Sequence, residues 1–173
     1  MTEQTISLTH LQNKAYQFLK NVHGGILSMP CGSGKTIVGY FLSRNHKTTV
    51  IVAHNCLRRD QLMGQFKNYY KGEDVNFEID SEKISTSNRN ILCIVHTSCK
   101  IIDKLFEPKD DVLLIIDDFH LSPHMKLLVI DEKNQLEYDE KSHIGMMLDK
   151  NYKFILVSNK IKIAKKYYRE CEK

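Results

Sequence analysis

Five short apolar runs, each followed by a longer helix-compatible stretch, limit most strongly what this chain of 173 residues can fold into. The runs are Ile26–Met29, Thr49–Ala53, Ile91–Val95, Val112–Ile116 and Phe154–Val157. Their length and Val/Ile content suit strands buried on both faces of a parallel sheet. Lys35–Ser43, Asn55–Tyr69 and Ser98–Leu105 lie between them and suit helices. This alternation predicts an α/β fold, a parallel sheet flanked by helices and joined by right-handed crossovers. Lys71–Asn90 is polar, with Val75–Ile79 expected as a short extra strand before a Ser/Thr/Asn-rich loop. Lys126–Tyr138 reads as two β-like runs about Glu132–Asn134, so a β-hairpin insertion is expected near 126–138. Lys160–Lys173 reads as a charged helix, with Lys162, Lys165, Lys166 and Arg169 on a solvated face. A chain of this length carries one sizeable core, and a single domain over 1–173 is expected.

The first apolar run leads directly into Gly32, Ser33, Gly34, Lys35 and Thr36, which open the first predicted crossover helix. Glycines there let backbone N–H groups turn inward around phosphate oxygens, and the helix N-terminus adds free N–H groups and partial positive charge. Lys35 would reach the β- and γ-phosphates, and the Thr36 hydroxyl would ligate Mg²⁺. The general phosphate-loop pattern has a Gly five residues before Gly34; this chain has Met29. The bland alternative is a chance GSGKT in an exposed turn, and the strand before and helix after speak against it.

Such a loop needs a carboxylate at the end of a neighbouring strand to hold Mg²⁺, and a second group to orient the attacking water. Val112–Ile116 runs into Asp117 and Asp118, while Leu127–Ile130 runs into Asp131 and Glu132. The second pair has the usual Asp-Glu order, but strand-like alternation resumes at Asn134–Tyr138, as in a hairpin. Asp117 is therefore the favoured metal carboxylate. Asp118 then occupies the position of the water-polarising group. Where a Glu would be usual, its carboxylate is drawn back by about 1.5 Å, and misplacement of that order can cost about 100-fold in rate.

The net charge of +4 and pI of about 8.7 are compatible with nucleic acid without demanding it. No apolar stretch is long enough to span a membrane. The opening MTEQTISLTH lacks a basic start and an apolar core, so no secretion signal is read. Five scattered cysteines (31, 56, 93, 99 and 171) give neither a disulfide framework nor a zinc-binding spacing, and an intracellular location is expected.

Taken in order, these segments resemble the first RecA-like domain of superfamily 2 helicases and translocases, the DExH-box group broadly. Leu8–Gln12, ahead of an amphipathic helix, looks like the leader in which a Gln reads adenine, and Gln12 is the match. Ser28–Thr36 resembles motif I. Val50–Phe66 resembles motif Ia, a strand-loop-helix laid along a nucleic-acid backbone. His96-Thr97-Ser98 resembles motif Ic, with Thr97 placed to touch a phosphate of the bound strand. Asp117–His120 resembles motif II, D-E-x-H, with Asp118 for Glu and His120 linking the ATP and nucleic-acid sides. Motif III, Ser-Ala-Thr in the family, is matched only by Ser158.

The resemblance implies ATP and Mg²⁺ as cofactors and single- or double-stranded DNA or RNA as partner. It also implies a second RecA-like domain, or a protein subunit, to supply arginine fingers. Such fingers are worth roughly 10³–10⁵ in turnover in related NTPases, so hydrolysis by this domain alone is expected to be weak. Arg58 and Arg59 open the motif Ia helix and could contact strand phosphates; a solvated helix face explains them equally well. No aromatic-basic alternation suggests a base-stacking platform, so binding would be backbone-directed and salt-dependent. His54, His96 and His120, at or just after strand ends, would each pass as satisfied structural histidines on position alone. Two other functions stay open: a catalytically inactive nucleotide- or nucleic-acid-binding module, and, less favoured, a small-molecule kinase.

Overall fold

The strands pair in the order β1-β6-β5-β2-β4-β3, every pair parallel. They are β1 (Gly24–Ser28), β2 (Thr48–Ala53), β3 (Val75–Ile79), β4 (Arg89–Val95), β5 (Val112–Ile116) and β6 (Lys153–Ser158), with helices α1 (His10–Leu19), α2 (Lys35–Ser43) and α3 (Cys56–Tyr69). The computed structural model of the chain describes residues 6–30, 32–80, 83–85, 88–95, 98, 111–118 and 152–158. The helix expected over Ser98–Leu105 (apart from Ser98 itself), the hairpin expected near 126–138 and the helix over Lys160–Lys173 lie outside the described residues.

Burial explains why the central strands carry no polar alternation. In β2, Ile51 sits opposite Cys93 of β4 and Ile115 of β5. These odd-numbered positions, with Leu27, Ile91, Leu113, Ile155 and Val157, join Leu19, Val38, Leu42, Leu62, Phe66 and Tyr70 from the helical side in one core. The even-numbered residues Val50, Val52, Leu92, Ile94, Leu114 and Leu156 are buried as completely on the opposite face. A parallel sheet sealed on both sides reads in sequence as continuous apolar run rather than alternation. The edge strand β3 is only half-buried and carries Asn76 and Glu78.

Helices α1 and α3 both contact α2, and α3 lies against β2, β3 and β4. Tyr16 of α1 packs edge-on against Phe41 of α2, with ring centroids 6.1 Å apart. At the end of the sheet where β2, β4 and β5 begin, Arg89 donates to the carbonyls of Ser43 (2.8 Å) and His46 (2.7 Å), satisfying acceptors left over at the end of α2. Beside it the buried Asn90 amide serves the loop before β4, donating to Ser85 O and Asn88 O and accepting from Ser85 N–H.

Strand β1 begins two residues before the expected Ile26. Its added residues, Gly24 and Gly25, lie under large neighbours: a Cβ at Gly24 would come within 2.3 Å of the Phe154 ring, and one at Gly25 within 2.5 Å of Leu19 Cδ2. Without side chains they signal no apolar run, yet close approach is why they are there. Among the described cysteines, Cys56 is exposed and Cys93 buried. Burial pushes the Cys93 thiol from 9.0 up to about 12. The raised folded value means its contribution to stability is complete below the unfolded thiol's range and is lost as pH climbs from about 9 towards 12. Iodoacetamide at neutral pH should therefore alkylate Cys56 rapidly and leave Cys93 unmodified until denaturant is added, as peptide mass spectrometry would record.

Candidate active site

All strands point the same way, so β1, β2 and β5 deliver their following residues to one mouth, where ligands of open α/β sheets bind. From β1 the chain passes through Met29 and Pro30 into the glycine loop. Gly32 (φ +77) and Gly34 (φ +85) take left-handed conformations that side chains disfavour. Gly34 is also the N-cap of α2 and, lacking a side chain, makes no side-chain capping hydrogen bond. The loop closes on its own lysine: Lys35 Nζ donates to Met29 O (2.9 Å) and Pro30 O (3.1 Å).

Gln12 holds the loop from the other side. It is not ahead of α1 but inside its first turn, three residues after the N-cap Thr9, and the two form a capping box. Gln12 Oε1 accepts from Thr9 N–H (2.9 Å), and Gln12 Nε2 donates to Ser33 O (2.9 Å). The side chain is almost fully buried. Its amide keeps one further N–H and one further lone pair beyond these contacts.

Across the mouth, Asp117 follows β5 and extends the ladder by donating its N–H to Val52 O (2.9 Å). Its side chain is 6% exposed and lies in a fork: Arg58 Nε donates to Oδ2 (2.8 Å) and Nη2 to Oδ1 (3.4 Å). Asp118 takes φ +44, a left-handed conformation that a non-glycine residue seldom adopts without cause. Lys35, Thr36 and Asp117 share the wall of a small, mainly apolar cavity above Leu27, Ile51 and Phe66. Gly32, Gly34, Lys35, Thr36, Arg58, Gln65 and Asp118 line an open cleft of about 420 Å³ beside it. The structure thus brings Gln12, Gly32, Ser33, Gly34, Lys35, Thr36, Asp117 and Asp118 to a single site.

The oxygen donors here, the Thr36 hydroxyl and the two aspartates, are hard ligands of the kind Mg²⁺ takes. His54, just after β2, adds a nitrogen: ligating atoms of His54, Asp117 and Asp118 lie within 4.8 Å of one another. Its Nδ1 is buried with no hydrogen-bond partner among the described residues. Position after a strand end was the one sequence signal available for it.

The two arginines expected at nucleic-acid phosphates are turned inward. Arg58 lies on Asp117, and Arg59 bonds Asp60 (2.9 Å) and Asp80 and is 15% exposed. Thr97, His96 and His120 lie outside the described residues.

The family described as "Type III restriction enzyme, res subunit" matches residues 2–148. The chain belongs to this family. A similar protein is the "Putative ATP-dependent RNA helicase L396" of Acanthamoeba polyphaga mimivirus, 29% identical over 113 residues, covering 64% of this chain and 21% of the relative. Two solved structures share the fold. One is a nuclease-deletion mutant of the Type ISP restriction-modification enzyme LlaGI in complex with a DNA substrate mimic (TM-score 0.61, 13% identity, 89% of this chain and 17% of that one). The other is the Pyrococcus furiosus Hef helicase domain (TM-score 0.62, 11% identity, 94% and 36%). The chain thus spans about a fifth of its viral relative and a minor part of either solved chain. The parallel sheet flanked by helices and the resemblance to a first RecA-like helicase domain are borne out. No helix among the described residues is long and apolar enough to cross a membrane.

A side chain at Gly34 would be strained by its φ and would meet Gln12 Nε2 at 2.2 Å. Gly34→Ala is expected to lower stability by about 1–3 kcal/mol, a left-handed strain with a lost polar contact. Urea unfolding followed by circular dichroism measures it. Gln12→Ala should recover part of that loss in the double variant, because it removes the clashing atom.

Proposed function

We propose that this domain binds ATP with Mg²⁺ and is the nucleotide-binding half of a nucleic-acid-dependent helicase or translocase. What carries the reading is the facing of a strand-glycine-helix loop by the buried Asp117 across one mouth of a parallel sheet. Inward N–H groups of Gly32–Thr36 and the Lys35 ammonium would take the phosphates, at the cost of the carbonyl contacts that Lys35 now makes. Thr36, and Asp117 through water, would hold Mg²⁺, which would supply positive charge to neutralise the phosphates. Asp118 would orient water from a shortened reach. The spare donor and acceptor of Gln12 match an adenine edge without surrendering Thr9 or Ser33.

The polymer bound would be DNA or RNA, single- or double-stranded, held along its backbone by the α3 side of the domain, with Arg59 and Thr97 as phosphate candidates. Residues 1–173 would form one RecA-like domain that works inside the cell with a second such domain, or a separate subunit supplying the arginine finger. The viral relative's printed name and the DNA-bound LlaGI structure support a nucleic-acid partner.

A second reading, a binding module without turnover, is favoured by one observation. Asp118 combines a short side chain with a left-handed backbone. The test is ATP binding and hydrolysis, each with and without single-stranded DNA and RNA. Wild type should bind ATP and hydrolyse it slowly, with stimulation by at least one polymer. Lys35→Ala should weaken ATP binding about 10–100-fold, the worth of one charge-assisted contact. Asp118→Glu should raise hydrolysis; no turnover in either form would establish the binding module. Turnover equal to that of complete helicases would overturn the need for a second domain.

A further inference from the structure

The Arg58–Asp117 fork belongs neither to phosphate binding nor to nucleic-acid binding as these motifs are usually divided. Arg58 is the third residue of α3, and its own N–H donates to the N-cap side chain Asn55 Oδ1 (2.8 Å), so its backbone is fixed. From there the guanidinium spans to Asp117 and takes both carboxylate oxygens. The carboxylate is buried, whereas the guanidinium is 26% exposed and lines the open cleft with Gly32, Gly34, Lys35 and Thr36. Arg58 thus stands between the metal carboxylate and the phosphate loop, able to serve one or the other.

We propose that Arg58 is a nucleotide-phosphate ligand supplied by the domain itself and stored on Asp117 until that carboxylate takes a divalent cation. The inference rests on the nucleotide reading given above. A carboxylate paired in both oxygens by a monovalent guanidinium exchanges it for a doubly charged, oxygen-seeking ion. The released guanidinium keeps its planar fork, which fits phosphate oxygens as it fitted the carboxylate. Without the cation Arg58 stays on Asp117 and adds nothing to phosphate binding. Cation and nucleotide therefore bind cooperatively. Lys35 makes the parallel exchange, from the carbonyls of Met29 and Pro30 to phosphate.

The test has two readouts. The side-chain Nε–H resonance of Arg58 is followed by NMR as MgCl₂ alone, then MgCl₂ with ATP, is added. ATP affinity is measured by calorimetry, in EDTA and in saturating MgCl₂, for wild type, Arg58→Gln, Arg58→Lys and Lys35→Ala. The resonance should move with MgCl₂ and move again with ATP. Arg58→Gln should bind ATP about tenfold more weakly in MgCl₂, the worth of one charge-assisted pair, and as wild type does in EDTA. It should also need several-fold less MgCl₂ for half its effect, its competitor being gone. Arg58→Lys, which keeps the charge and loses the fork, should fall between, and it serves alone if Arg58→Gln unfolds. An unmoved resonance, or undiminished affinity of Arg58→Gln in MgCl₂, overturns the proposal. Wild-type ATP binding that Lys35→Ala leaves intact sinks the phosphate-loop reading instead, and the resonance still judges the exchange at Asp117.

Discussion

Parallel pairing is the constraint on which the site depends. Because β1, β6, β5 and β2 run in one direction, the residues after β1, β2 and β5 meet at one mouth although they are far apart in sequence. Registers such as Ile51 between Cys93 and Ile115 hold those ends level. A slip of one residue would turn every strand side chain to the wrong face. The buried apolar faces that prevent such a slip also keep Asp117 where it faces Lys35 and Thr36.

The polar groups of the mouth are paired with one another. Lys35 rests on backbone carbonyls, Arg58 on Asp117, and Gln12 on Ser33 and Thr9. The contacts of Lys35 and Arg58 are ones that a phosphate or a metal ion could replace in kind, while the Gln12 amide keeps a spare donor and acceptor for a base. Exchange of this sort lets buried polar groups remain satisfied in both states, which matters because an orphaned buried donor or acceptor costs about 1–3 kcal/mol. His54 is the exception, its Nδ1 having no hydrogen-bond partner among the described residues beside the two aspartates.

Much of this was legible from residues alone, for local reasons. Lys35–Ser43 is a helix as expected, since it combines a glycine entry with a continuous helix-compatible stretch. Val112–Ile116 is a strand as expected, being apolar at every position. Asn55 reads as helix but acts as the cap of α3, a shift of one residue that only backbone geometry reveals. Gly24 and Gly25 were illegible because a glycine chosen for close packing carries no apolar signal. Arg58 was legible as a cation near a site, but not as Asp117's partner. A contact across 59 residues of sequence depends on the sheet order, which local pattern does not contain.

The Gln12 amide touches both the start of α1 and the carbonyl of Ser33, so the helix and the glycine turn share one hydrogen-bonding group. Any planar heterocycle that drew that amide towards itself would loosen or tighten its hold on the turn. By thermodynamic reciprocity, the identity of the heterocycle would then be felt as a change in how firmly the turn grips an anion. The two ends of one small molecule would thus be sensed as a single quantity.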